Sequence, residues 1–342
     1  MLKLNRAITI GIPCEIMPHE GRVPILPSSI HQLQLNVRSS GCVLNVVVQK
    51  GLGSSLGMTD EDWVRGGARV EEKESVYAMS DVILKIKQPF SEEVPFYHEG
   101  QVSACFHHMA ANRDVVTALI KKQVRIVPFE YHRPGLHVMS AEAGKCIPVI
   151  LYRICGNKWI KEHIFFGGAR GTVGQYAISA CYGRGVPLSH IHACDIATGA
   201  FLSPKTRMSY DTFSSKNGRK LYAELRKCRI FILAAASSSD AVRFLKPRHL
   251  DNFADGAVIV QISIDEGGNI DEQAFQRVTY WSDPSYEVIR KDKKFTVCNV
   301  PNIPGCLAPY NASLALEKAN FLYYANIIVS FPDIDSELLY WP

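Results

Sequence analysis

Phe165-Phe-Gly-Gly-Ala-Arg-Gly-Thr-Val-Gly174 is the stretch that decides the fold. It begins in the short apolar run Ile164–Phe166 and opens into Gly174–Tyr182, which reads as a helix. Glycines between a strand and a helix let the backbone turn tightly. They also let a phosphate approach the helix N-terminus, where unpaired N–H groups and the helix dipole favour an anion. From Gly168 the spacing is G-x-x-G-x-x-G, through Gly171 to Gly174. When the dinucleotide fingerprint G-x-G-x-x-G is aligned on Gly171 and Gly174, Ala169 takes its first place. Asp195 follows Gly174 by 21 residues and closes the next apolar run, Ile191–Cys194. A carboxylate there accepts from the adenosine ribose hydroxyls and repels a 2′-phosphate, which favours NAD. Lys205 and Arg207 downstream keep NADP as the alternative. The expected cofactor contacts here are Gly168, Gly171, Thr172, Val173, Gly174 and Asp195.

Outward from this turn the chain alternates strand and helix in both directions. Downstream, Leu221–Leu225 reads as a helix, Ile230–Ala235 and Val258–Ile264 as strands, and Ala312–Ser330, free of Gly and Pro, as one long helix. Upstream, Ile8–Ile12, Val43–Val48, Val82–Ile86, Gln101–Phe106 and Arg125–Phe129 are apolar or β-branched runs. Helical segments fall between them at Ser28–Arg38, Thr59–Gly66, Lys73–Met79 and Asn112–Lys122, with Thr59 and Asn112 as N-caps. Ala141–Ile160 reads as a largely helical link, interrupted at Pro148. Two such series predict an α/β protein with two parallel sheets covered by helices.

Composition narrows the function. The 342 residues fit two domains, and 47% hydrophobic with 21% charged residues is ordinary for a globular chain. Lys plus Arg number 38 and Asp plus Glu 33, and the densest basic stretch, Arg290–Lys294, includes Asp292, so nucleic acid is not an expected partner. No apolar run reaches the roughly 18 residues of a membrane span. The alternating Met1–Ile10 reads as a first strand rather than a secretory signal. Ten cysteines, with no C-x-x-C pair, read as buried free thiols of a reducing cytoplasm, and no metal site is expected.

Short blocks in a fixed order carry a further reading. They are Gly11-Ile-Pro-Cys-Glu15, Glu20-Gly-Arg-Val-Pro24, Gly51-Leu-Gly-Ser54, Leu84-Lys-Ile-Lys-Gln-Pro89, Phe106-His-His-Met-Ala-Ala111, Pro128-Phe-Glu-Tyr131, Met139-Ser-Ala-Glu-Ala-Gly144, Ile264-Asp-Glu-Gly-Gly268, Asp283-Pro-Ser-Tyr286 and Asn299-Val-Pro-Asn-Ile-Pro304. In these blocks the chain resembles, over nearly its whole length, the alanine dehydrogenase family and its relatives. Those relatives are the lysine-forming saccharopine dehydrogenases, the carboxyethylornithine synthases and the first domain of proton-translocating transhydrogenase. The resemblance implies two Rossmann-like domains with a cleft between them. One is a catalytic domain over residues 1–140, completed by 305–342, and the other an NAD(P)-binding domain over 141–304. It implies that Arg22 binds the substrate carboxylate, Lys87 contacts the substrate and assists proton movement, and His108 is the catalytic histidine. Asp265 would lie near the nicotinamide and the reacting carbon, and Ser140 and Asn302 would join the cofactor contacts.

These residue types suit the chemistry. Reductive amination passes through a cationic imine formed from a 2-oxo acid and an amine, and a carboxylate such as Asp265 stabilises that cation. An imidazole near neutral pKa can exchange the proton as the carbinolamine loses or gains water. His107 and His108, in a strand-like segment, are expected to point to opposite faces. The expected activity is that of an NAD(P)-dependent amino-acid dehydrogenase of alanine dehydrogenase type, acting on a small amino acid and its 2-oxo acid as a cytoplasmic homo-oligomer. The glycine spacing is closer to the saccharopine type, and Gly305-Cys-Leu-Ala-Pro-Tyr-Asn-Ala-Ser313 stands where a basic residue and Thr-Ser are usual. Opine-type condensation of an amino acid with a 2-oxo acid is therefore the first alternative. A non-catalytic nucleotide-binding regulator is the second.

Overall fold

The computed structural model describes residues 6–334 apart from residues 110, 238 and 239. Residues 1–5 of the expected N-terminal strand and 335–342 of the expected first domain lie outside the described residues, as does Ala110 of the double-histidine block. The chain divides into two units. One takes the residues through Met139 together with those from Pro309 on, and the other is Ser140–Ala308.

In the first unit the strands are β1 (Arg6–Ile12), β2 (Cys42–Gln49), β3 (Arg69–Glu71), β4 (Val82–Lys87), β5 (Val102–Phe106) and β6 (Arg125–Pro128). They form one sheet in the order β3-β2-β1-β4-β5-β6, and every pairing is parallel. Sheets of this order reverse direction of growth between the first and fourth strands, and ligands bind there, at the strands' C-terminal ends. Helices α1 (Ile30–Arg38), α2 (Asp60–Gly66), α3 (Lys73–Met79) and α4 (Arg113–Lys121) connect the strands. Thr59 caps α2 as expected, in a capping box with Asp62. Asn112 does not cap α4: its amide reaches backward, donating to the carbonyls of His107 and His108. β3 was not expected; three residues are too few for a periodic signal.

The core of this unit is finished by a distant segment. Ile8, Ile10 and Ile12 on one face of β1 pack with Leu84, Ile86, Phe106 and Phe129. Ala312, Leu316, Tyr324, Ile327 and Ile328, from the long helix α11 (Pro309–Ser330), lie in the same cluster.

The link reads differently from expectation. α5 (Arg133–Lys145) ends before Cys146, and Pro148 sits in the first turn of α6 (Ile147–Cys155) rather than interrupting a helix. Proline lacks only an N–H that a first turn leaves unpaired anyway.

In the second unit, β7 (Ile164–Gly167), β8 (Ile191–Asp195), β9 (Gly199–Leu202), β10 (Ser209–Ser214) and β11 (Ile230–Leu233) come first. A two-residue ribbon follows, β12 (Ala236–Ser237) with β13 (Asp240–Ala241), then β14 (Ala257–Gln261), β15 (Tyr286–Arg290) and β16 (Lys293–Cys298). The main sheet runs β15-β16-β14-β11-β7-β8-β10-β9. Its six central strands are parallel and repeat the first unit's order, but β9 and β15 pair antiparallel at the two edges. The six parallel strands are the parallel sheet that was expected; the two edge strands were not. The edge strands escape a reading based on apolar runs because they face solvent: the central residues of β9 are exposed or half-exposed, and Ile289 of β15 is 77% exposed. The covering helices are α7 (Thr172–Gly183), α8 (Gly218–Leu225), α9 (Pro247–Leu250) and α10 (Ile303–Leu307). None of the ten cysteines is in a disulfide; Cys14, Cys155 and Cys306 are half-buried and the rest buried.

Candidate active site

Two groups of the expected residues assemble, one in each unit. In the first unit, β4 and β5 are parallel neighbours, so both end on the same edge of the sheet, with Lys87 opposite Phe106. His108 follows two residues later, and its Nε2 lies 3.4 Å from Lys87 Nζ. Lys87 is buried and His108 half-buried. β5 ends at Phe106, so alternation along a strand does not separate the two histidines as expected. His108 instead adopts a left-handed conformation, φ 48°.

That turn is held by side chains from elsewhere. Glu130 accepts from the N–H groups of His107 (3.0 Å) and Met109 (3.1 Å), and Asn112 donates to the carbonyls on the other side. Burial pushes the Glu130 carboxyl above its usual range, partly offset by those N–H donors. His107 is wholly buried against Ser103, its Nε2 lying 3.1 Å from Ser103 Oγ. Burial pushes its pKa down to about 3, so it stays neutral.

Arg22, in the segment after β1, is buried and paired within its own block. Its Nε lies 2.7 Å from Glu20 Oε1 and its Nη2 2.6 Å from Glu20 Oε2, while Nη1 is 3.1 Å from Met139 Sδ. Two parallel bonds of the kind a guanidinium can offer a carboxylate are made to Glu20. Arg22 comes after β1 and Lys87 ends β4, the two strands flanking the reversal of this sheet.

In the second unit the glycine turn lies after β7. α7 begins at Thr172, two residues earlier than expected, so Gly171 is its N-cap and the N–H groups of Thr172 and Val173 are among those a helix start leaves unpaired. Gly168 has φ 79°, and a Cβ there would fall 2.6 Å from Ala234 O. A Cβ on Gly174 would fall 2.3 Å from Gly168 O, whereas at Gly171 that oxygen is 3.1 Å away. Gly168 and Gly174 are therefore demanded by the turn itself, and Gly171 is the least crowded of the three.

Asp195 ends β8. Its Oδ2 accepts from Arg170 N at 2.8 Å and its Oδ1 from Ile196 N at 2.8 Å. Arg170 turns its guanidinium away, onto Thr212 Oγ1 and the carbonyls of Thr198 and Gly199, and over the Phe201 ring. A cavity of about 470 Å³ is bounded by Gly168, Gly171, Asp195, Ser215, Ala234 and Phe244. It brings together the glycine turn, the acid and the end of β11, at the reversal point of this sheet. The donor set fits a dinucleotide: unpaired helix N–H groups for a pyrophosphate and a carboxylate one strand away for a ribose.

The remaining expected residues fall in the second unit. Asp265 lies in the 3₁₀ turn Ile264–Glu266, beyond β14, which ends at Gln261 and not at Ile264. Ser140 is half-buried in α5. Asn302 is buried, and its Oδ1 is 3.2 Å from Cys306 Sγ. Sequence reasoning passed over Glu15, Glu20 and Glu130. Glu15 and Glu130 come within three residues of the ends of β1 and β6, where an acid closing an apolar run was the available signal; Glu20 lies in the loop beyond β1 and carries no such signal.

The family model described as alanine dehydrogenase/PNT, N-terminal domain, matches residues 11–135, and the corresponding C-terminal domain matches residues 162–333. An alanine dehydrogenase of Methanococcus maripaludis is 26% identical over 321 residues, 87% of this chain and 82% of that protein. Alanine dehydrogenase 2 of Staphylococcus aureus is 25% identical over 345 residues, 92% and 86% of the two chains. Among solved structures, an L-alanine dehydrogenase aligns with TM-score 0.73 at 22% identity, covering 97% of this chain and 94% of its own. A transhydrogenase from Sinorhizobium meliloti aligns with TM-score 0.71 at 21% identity, covering 94% and 95%.

Proposed function

The chain belongs to the alanine dehydrogenase/PNT family, and from that premise we propose that it is an NAD-dependent amino-acid dehydrogenase interconverting a small amino acid with its 2-oxo acid. The observation that carries this reading is the apposition of Lys87 Nζ and His108 Nε2 at 3.4 Å on the binding edge of the first sheet. A lysine and an imidazole in contact form a proton-transfer pair, which a purely nucleotide-binding protein does not need.

In this reading Arg22 receives the substrate carboxylate. Glu20 grips its Nε and Nη2, and the buried ion pair keeps the guanidinium from swinging. Lys87 donates to the oxo oxygen. His108 protonates the carbinolamine hydroxyl so that it leaves as water, and in the reverse direction takes that proton from water. Asp265 supplies the negative charge that favours the iminium. Gly168, Gly171, Thr172, Val173 and Gly174 hold the pyrophosphate, Asp195 the adenosine ribose, and Ser140 and Asn302 complete the cofactor contacts. The bound nicotinamide supplies or takes the hydride.

The test is NADH oxidation with pyruvate or 2-oxoglutarate, each with ammonia, lysine or ornithine as the amine. Turnover with pyruvate and ammonia is the expected result. Turnover only with an amino-acid amine would replace it by opine-type condensation. NADH binding without turnover on any pair would make the chain a regulator. NADH should be preferred over NADPH, because Arg170 is committed elsewhere and Asp195 repels a 2′-phosphate. In Asp195→Ala that preference should collapse; equal use of both cofactors by the unmutated protein would remove Asp195 from the ribose site.

A further inference from the structure

Glu15 makes contacts that the reaction just described does not use. Lys85-Ile-Lys87 is where β4 leaves regular pairing: from Leu84 to Lys87 it advances three residues while β5 advances two, from Ala104 to Phe106. An extra residue of this kind takes amides off the ladder and re-aims the side chains around it. The other neighbour, β1, pairs with β4 only at Val82 and Ile83. Glu15 fills the gap. Its Oε1 accepts from Ile86 N at 2.6 Å and from Lys87 N at 3.3 Å. Its Oε2 makes no hydrogen bond and lies 3.7 Å from Lys85 Nζ. Lys85 in turn is bound by Glu93, which also accepts from Tyr77 Oη at 2.9 Å.

The side chains of Glu15, Lys85 and Glu93 are 4%, 1% and 0% exposed. A buried ion cluster is no more stabilising than apolar side chains of the same volume, so stability does not explain it. Its geometric effect is specific: a carboxylate anchored from behind by Lys85 grips the backbone of the residue whose amine meets His108.

We propose that Glu15 is a positioning residue for Lys87, holding the irregular end of β4 so that Lys87 Nζ stays within hydrogen-bond reach of His108. The kinetic part of this inference rests on the dehydrogenase reading above; the geometric part does not. A misplacement of about 1 Å costs on the order of a hundredfold in rate, so Glu15→Ala should lower kcat about a hundredfold. The KM for the oxo acid and the affinity for NADH should change little.

The decisive readout is a double-mutant cycle. If Glu15 acts through Lys87, Glu15→Ala adds nothing once Lys87 is gone, and Glu15→Ala/Lys87→Ala turns over as slowly as Lys87→Ala alone. Multiplicative losses would overturn the proposal. Glu15→Gln keeps the acceptor for both amides and should recover most of the kcat that Glu15→Ala loses. It also serves if Glu15→Ala does not fold: a loss in Glu15→Gln that multiplies with that of Lys87→Ala would count against the role. A crystal structure of Glu15→Ala needs no activity. Lys87 Nζ should stand well beyond hydrogen-bond distance of His108 Nε2 while β1 and β5 keep their places. An unmoved Lys87 would overturn the proposal, even if the unmutated protein proves inactive and the dehydrogenase reading falls.

Discussion

Arg22 and Glu20 show how one residue carries two roles. Their ion pair is buried, with side chains 5% and 0% exposed. Removing one partner of such a pair strands the other charge, at a cost of about 3–5 kcal/mol, whereas removing both leaves no stranded charge. Arg22→Ala should therefore unfold at clearly lower denaturant concentration than Arg22→Ala/Glu20→Ala. A double variant as unstable as the sum of the two singles would show that packing, not charge, holds this corner. The histidines divide in the same manner. His108→Ala should lose about 10²–10⁴-fold in kcat as an acid–base group, while NADH still binds. His107→Ala should lose stability rather than turnover. His107 is held neutral at about pKa 3, below the 6.5 of a free imidazole. Its folded pKa being the lower one, it contributes stability above pH 6.5 that is lost as pH falls towards 3, at most about 5 kcal/mol. Replacing it by Gln should flatten the stability curve across that window, as followed by denaturant melts at stepped pH. An unchanged curve would show that the buried ring is not the group titrating there.

At the scale of elements, the glycine turn and α7 separate what the fold needs from what a ligand needs. A methyl on Gly174 would fall 2.3 Å from a backbone oxygen and 2.8 Å from Ala169 Cα. No side-chain rotation relieves that contact, so Gly174→Ala should lower the melting temperature and weaken NADH binding together. Gly171 has an ordinary φ of −66° and a single neighbour at 3.1 Å. Gly171→Ala should therefore lose much less melting temperature than Gly174→Ala and still bind NADH roughly tenfold or more weakly, about 1.4 kcal/mol, because the methyl stands where the pyrophosphate approaches. Thermal melts beside NADH titrations separate the two; equal NADH affinity in Gly171→Ala would move the pyrophosphate away from this turn. The glycine spacing was legible in the sequence because a tight turn demands it locally. The start of α7 at Thr172 was not, because Gly171 caps it with backbone alone and leaves no side-chain signal.

At the scale of the molecule, the two units differ in how their cores close. The core of the second lies within one continuous segment, Ser140–Ala308. The first borrows α11, and Leu316, Tyr324, Ile327 and Ile328 from it are each no more than 2% exposed. At about 1.5–3 kcal/mol for each large apolar side chain, their loss rivals the whole stability of a typical domain. A fragment of residues 140–308 should fold cooperatively and bind NADH, while residues 1–139 alone should not fold. Circular dichroism melts of the two fragments check this. A cooperative melt from residues 1–139 would show that α11 only covers a core already closed.

Much of this protein was determined by its sequence alone, wherever the governing physics is local. Runs such as Ile8–Ile12 and Val82–Ile86 must be buried strands, the glycines of 168–174 must be a tight turn into a helix, and an acid 21 residues on must end the next strand. The ordered blocks told of the family and named Lys87 and His108 together. Tertiary structure decided what each of these groups faces. Arg22 is gripped by Glu20, Asn112 wraps the histidine turn instead of capping α4, and Glu15 holds the strand that ends in Lys87. β9 and β15 join the sheet edges with too few buried residues to leave a pattern. Period and turn chemistry are set by a residue and its near neighbours. A buried charge's partner is set by which strand ends the fold brings side by side, and Glu15 and Lys87 are 72 residues apart in the chain before β1 and β4 pair.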